Sequence, residues 1–131
     1  MSDIPSKNTR DYWIYTERKN GEYPEHSIRG GKWLIFVNSH NIDWIWKKIR
    51  VAVESGKLGG IAKTATAKIP SKTRVICVYT YDWRDEQDVK RIREELRKLG
   101  INRKIAYKTD EDTELGKYRI NTNEKLSKYY E

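Results

Sequence analysis

The chain has one cysteine, one methionine, one glutamine and two histidines in 131 residues. A lone thiol excludes an internal disulfide. Cys77 sits in the apolar run Val75-Ile76-Cys77-Val78, so a buried, reduced thiol in a cytoplasmic setting is expected. His26 and His40 with one cysteine give no zinc-ligand spacing, and GxSxG, Walker A and dinucleotide fingerprints are all missing. Metal and nucleotide-hydrolysis chemistry are thereby set aside, and no cofactor is expected. No apolar run approaches a membrane span, and MSDIPSKNTR lacks the apolar stretch of a signal peptide. A soluble protein with no membrane partner is expected. Scarce Met, Cys and Gln beside abundant Lys, Arg, Glu and Ile resembles the composition of proteins from hot environments.

What is abundant is positive charge. Lys plus Arg number 27 against 19 Asp plus Glu, giving a net charge of +8 and a pI near 9.5. That balance favours anionic partners such as nucleic acid, nucleotides or phosphoproteins. Many of the charges interleave, as in Lys90-Arg91-Ile92-Arg93-Glu94-Glu95, which is the pattern of a solvated helix face.

The length suits a single domain with one modest core. We expect a flexible N-terminus over 1–10, one domain over 11–120 and a C-terminal tail over 121–131. Tyr12 to Tyr15 reads as a short strand or aromatic lid, and Lys32 to Val37 as a strand entered through Gly30-Gly31. From Asn41, a plausible N-cap, Ile42, Ile45, Trp46, Ile49, Ala52 and Val53 recur at helical spacing up to Gly56. Ile61–Thr66 and Arg74–Tyr81 form a predicted hairpin. Val89, Ile92, Leu96 and Leu99 mark a second helix between Asp85 and Gly100. Strands over Lys104–Lys108 and Lys117–Ile120 complete the series. The result is an α+β domain of core order β-α-β-β-α-β, with two helices on one face of a mostly antiparallel sheet and the other face available to a ligand.

Three of those strands carry a lysine: Lys32, Lys63 and Lys108. A lysine inside an apolar strand is costly to bury, so three at comparable positions suggest a phosphate or carboxylate ligand. Lysines at strand ends also snorkel to solvent, the plainer alternative. Tyr79, Tyr81 and Tyr107 can form a stacking platform for bases or ordinary cross-strand packing. Gly56-Lys57-Leu58-Gly59-Gly60 follows a helix and precedes a strand, the reverse of a phosphate-binding loop, and reads as a helix stop. Asp82, Asp85 and Asp88 surround a helix start, where carboxylates complement the dipole. Trp44 falls off its helix stripe and covers the flank beside Val51 or anchors a partner. His40 stands between strand and helix, as a titrating group or a plain capping residue.

Several stretches together resemble the basophilic leukaemia-expressed protein family, with its phosphothreonine-lyase-like domain. They are Gly31-Lys32-Trp33, Glu54 to Gly59 followed by Ala62-Lys63-Thr64-Ala65-Thr66, Cys77 to Asp82, Leu96 to Gly100, and Tyr107-Lys108-Thr109-Asp110 through Gly116-Lys117-Tyr118-Arg119. The likeness spans about Gly31 to Arg119. It implies a fold similar to the mRNA cap-binding initiation factor, a curved antiparallel sheet backed by helices. A more distant similarity reaches bacterial effector lyases that remove phosphate from phosphothreonine by β-elimination with a lysine base and a histidine acid.

By that resemblance Lys63 is the catalytic base and Lys108 lies in a segment near the phosphate. Lys32, Lys63, Lys108 and Arg119 can form an anion pocket, since arginine grips phosphate with a bidentate fork and lysine supplies point charge, with Tyr107 and Tyr118 as further ligand contacts. Leu34 takes the place of the acid histidine. Leucine cannot donate a proton, so elimination requires His40 or Tyr118 as substitute, and binding outlasts catalysis where neither serves. The expected function is recognition of a phosphorylated ligand, whether phosphopeptide, nucleotide or RNA end, by a degenerate phosphothreonine lyase. The alternatives are a non-catalytic RNA-binding domain using an open aromatic and basic sheet face, and a protein-interaction module. Oligomeric state is not legible.

Overall fold

The computed structural model describes residues 3–111 and 128–131. A short 3-10 turn, Pro5–Lys7, precedes strands β1 (Trp13–Glu17) and β2 (Gly31–Asn38), helix α1 (Ile42–Glu54), strands β3 (Ile61–Ala65) and β4 (Thr73–Thr80), helix α2 (Glu86–Lys98), and strands β5 (Ala106–Thr109) and β6 (Tyr129–Tyr130). The β-α-β-β-α-β core anticipated from the sequence is present in that order. The six strands form one curved sheet of order β1-β3-β4-β2-β5-β6, antiparallel at every pairing.

Both helices cover the same face. The stripe of α1 (Ile42, Trp46, Ile49, Val53) and that of α2 (Val89, Ile92, Leu96) are buried against Trp33, Ile35 and Val37 of β2, Ala62 of β3 and Ile76 and Val78 of β4. These strand residues alternate with outward-facing neighbours, as a two-residue period requires. Burial of this single cluster supplies the main driving force for folding.

Capping follows the chemistry of the ends. Asp85 accepts from the Asp88 backbone N–H at 3.1 Å and closes the start of α2. Asn41 occupies the N-cap position of α1 without a side-chain cap bond. Gly56 and Gly100 follow the two helices with φ of 88° and 101°, the left-handed region in which a side chain is strained.

Arg93 is a charged residue with no exposed surface. Its guanidinium donates to the carbonyls of Glu131 at 2.8 Å, Ile101 at 3.0 Å and Arg103 at 2.7 Å. These bonds tie the strand end beyond β6 to α2. The described parts of the segments expected as a flexible N-terminus (1–10) and a C-terminal tail (121–131) engage the domain. Pro5 is buried, Ser6 is bonded to α1, and Tyr129–Tyr130 pairs with β5, because each segment finds apolar or hydrogen-bonding partners on the domain. The strand expected over 117–120 lies outside the described residues. Among the described residues no helix is long and apolar enough to cross a membrane.

Candidate functional site

Since Trp33 and Ile35 point into the core, Lys32, Leu34 and Phe36 must point the other way. The same parity sends Lys63 outward between buried Ala62 and Thr64, Cys77 and Tyr79 outward from β4, and Lys108 outward from β5. Register then decides whether these groups meet. Lys32 pairs with Tyr79 on one side and Lys108 on the other, while Lys63 pairs with Cys77. The three lysines share one face within four adjacent strands.

Tyr79 is the centre of the arrangement. Lys32 Nζ lies 5.8 Å and Lys63 Nζ 6.0 Å from its ring centroid. Lys63 also stands 4.0 Å over Trp13 and 5.9 Å from the Tyr15 ring. Three aromatic faces hold this ammonium by cation–π attraction, and among the described residues it has no carboxylate or hydrogen-bond partner. Lys32 is only 8% exposed and meets Asp110 Oδ1 at 3.2 Å.

The second oxygen of Asp110 holds His26, with Nε2 and Oδ2 2.5 Å apart. A carboxylate only accepts, so Nε2–H donates and Nδ1 is left for another contact. The His26 ring packs edge-on to Tyr79 at 5.9 Å. Gly30 makes this placement possible, because a Cβ there would lie 2.0 Å from His26 Nε2. The Asp110 backbone N–H bonds the Gly30 carbonyl at 2.9 Å, fixing the carboxylate relative to the loop that carries His26.

Burial pushes the Cys77 thiol up to about 11, while Lys63 and Lys32 pull it down and Asp110 pushes it up. Burial likewise raises the Tyr79 phenol. Both groups are neutral at pH 7, so neither cancels the lysine charge. Among the described residues no group of three or more His, Cys, Asp or Glu is placed to hold a metal ion.

Tyr107 requires correction as a ligand contact. It is the immediate neighbour of outward-facing Lys108 and so points into the core, fully buried, with its hydroxyl 2.6 Å from Thr80 Oγ1 and its ring against Trp33. Tyr81 leaves the platform as well, packing edge-on to Tyr23 and hydrogen-bonding Asp85. His40 follows the far end of β2 from Lys32 and does not join the site. Arg119 and Tyr118 lie outside the described residues. The residue that sequence reasoning overlooked is His26, and the Gly30-Gly31 pair beside it was the available signal of close packing.

Solved structures share this architecture at low identity. A schistosome eIF4E complexed with m7GpppA and 4E-BP matches with a TM-score of 0.61 and 17% identity over 78% of this chain and 58% of that one. The C. elegans eIF4E-3 in complex with the 4E-binding protein Mextli and a cap analog gives 0.57 and 24% over 67% and 54%. Ascaris suum eIF4E-3 with an m2,2,7G cap gives 0.56 and 19% over 79% and 58%. This chain spans less than two thirds of the length of each, and the likeness is one of fold. Residues 24–116 match the family of basophilic leukemia-expressed protein Bles03. Because that stretch includes both helices, strands β2 to β5 and all three site lysines, the chain belongs to this family.

Proposed function

We propose that the open sheet face binds a phosphorylated ligand, a phosphopeptide or nucleotide, between Lys32, Lys63 and Lys108. The observation that carries this reading is the convergence of Lys63 and Lys32 on the Tyr79 ring, with Lys63 held by aromatic rings and no carboxylate among the described residues. An ammonium surrounded by low-dielectric groups keeps its charge available to an incoming anion. The structurally similar eIF4E complexes hold m7GpppA in one case and a cap analog in another. Arg119 is the fourth cation of the proposal, and a reduced Cys77 suits a cytoplasmic setting.

The finer reading is a weakened β-eliminating site. In its neutral amine form Lys63 takes the Cα proton of a phosphothreonine and becomes the ammonium, the electron pair forms the Cα–Cβ double bond, and the Cβ–O bond breaks as phosphate leaves. Lys32 and Lys108 hold the departing charge. His26, oriented by Asp110, is the described imidazole beside the site and serves as proton donor where Leu34 cannot.

Trp13 lies against Lys63 and is an intrinsic reporter. Fluorescence titration with a phosphothreonine peptide, its unphosphorylated twin and a capped dinucleotide should show saturable binding of phosphorylated ligands alone, weakened about tenfold or more in Lys63→Ala. Equal binding of the twin, or no effect of Lys63→Ala, sinks the reading. Release of inorganic phosphate from the peptide tests the finer step, which fails if Lys63→Ala retains turnover.

One observation favours RNA as a second reading. Tyr15 and Phe36 are 56% and 54% exposed on the same face and can stack bases. That ligand would bind with a steep loss of affinity in salt and a multi-nucleotide footprint.

A further inference from the structure

A groove of about 750 Å³ lies between β1, the 3-10 turn and α1, and meets the lysine face through Tyr15, whose ring is 5.9 Å from Lys63 Nζ. Ile14 and Tyr15 both line it. Adjacent strand residues point to opposite faces, so a groove touching both meets the strand along its edge. β1 is the terminal strand of the sheet, and among the described residues nothing bonds the backbone edge that it turns away from β3. Such an edge is a template for another strand.

The groove is built rather than accidental. At one end the Ser6 backbone N–H and hydroxyl bond the two oxygens of Asp43 at 2.9 and 2.5 Å, fastening the turn to α1. At the other end Thr16 donates to Glu54 at 2.7 Å and joins β1 to the last turn of α1. Trp46 lines the groove at 2% exposure, and its indole Nε1 is the buried side-chain donor without an acceptor among the described residues. Trp44 is 53% exposed and offers an apolar wall.

Charge narrows the occupant. The lining carries Lys7, Lys19, Lys47 and Arg50 against Asp3, Asp43 and Glu54. Asp43 is taken by Ser6, and Glu54 is shared by Thr16, Lys19 and Arg50. Lys7 and Lys47 have no carboxylate within ion-pair distance among the described residues. We propose that the groove takes an extended acidic peptide segment of a partner protein, which adds a strand to the edge of β1. Its carbonyls and N–H groups face the backbone edge, an apolar side chain covers Trp44, and its carboxylates meet Lys7 and Lys47.

The test is fluorescence anisotropy of the full chain with pooled labelled hexapeptides alternating acidic and β-branched residues. Matched pools carry lysine in place of the acids, or N-methyl groups on alternate backbone nitrogens. The acidic pools should bind, Lys47→Glu should weaken them about tenfold, N-methylation should abolish binding, and Lys63→Ala should leave it unchanged. Lys47 is an exposed helix residue, so its variant folds. No saturable binding from any acidic pool, equal binding of the lysine or N-methylated pools, or loss with Lys63→Ala overturns the proposal. A dimer in sedimentation analysis that dissociates in Lys47→Glu also overturns it, since the occupant is then a second copy.

Discussion

Lys63 stands directly opposite Cys77 in the β3–β4 ladder, and the thiol is under opposed pressures from burial and from this lysine. Burial disfavours the thiolate and sets its pKa near 11, while the ammonium pulls the other way. The first prediction concerns alkaline stability. Below the ordinary thiol value of 9.0 both folded and unfolded chains keep the proton, and Cys77 contributes nothing to pH dependence. Above it the unfolded chain loses a proton that the folded chain retains, so unfolding gains about 1.4 kcal/mol per pH unit. The loss is complete near pH 11, at up to about 3 kcal/mol. Urea denaturation between pH 8 and 11 checks this: Cys77→Ala should flatten the slope, and Lys63→Ala should extend it to higher pH. An unchanged slope in Cys77→Ala would assign the effect to the tyrosines.

The two adjacent glycines before β2 should respond differently to alanine. At Gly31 a Cβ would lie 2.3 Å from the Tyr107 hydroxyl, which is buried and cannot retreat. Gly31→Ala should cost about 2 kcal/mol or more by overpacking. At Gly30 the clash is with the His26 ring, whose side chain is 42% exposed and can swing outward. Gly30→Ala should cost under about 1 kcal/mol yet separate His26 from Asp110. Thermal unfolding reads the first difference and the His26 imidazole resonances the second.

Arg93 offers the clearest stability test. Arg93→Met roughly keeps the volume but leaves the Ile101 and Arg103 carbonyls without their donor, while Glu131 keeps the Ile105 N–H, and should lower stability by about 3 kcal/mol in urea denaturation. Arg93→Lys should recover only part, because a single ammonium cannot span the carbonyls of Glu131, Ile101 and Arg103 as the planar fork does.

Local pattern made the core elements readable. The apolar spacing of α1 and α2 and the alternation in β2 and β4 each report one element's burial, and the structure reproduces them. The lysines were readable as candidates for the same reason. Their convergence was not, since it depends on which strands pair and in what register. Parity alone was enough to separate Tyr107 from Lys108, because neighbours in a strand cannot share a face. His26 was hidden for a different reason: it lies in the irregular segment between β1 and β2, and its partner Asp110 follows β5. No periodicity links residues so far apart.

The strand order also dictates a sequence of events in folding. Of the pairings in the sheet, β3–β4 joins consecutive strands through a short connection, whereas β2 must find β4 across α1 and β3, and β5 across α1, β3, β4 and α2. Closing those longer loops costs more entropy before contacts repay it. The hairpin that carries Lys63 and Cys77 therefore forms early, and β2 completes the sheet's centre late. Until β2 docks, Lys32 has no Tyr79 to face, so the site is assembled in the same step that closes the core.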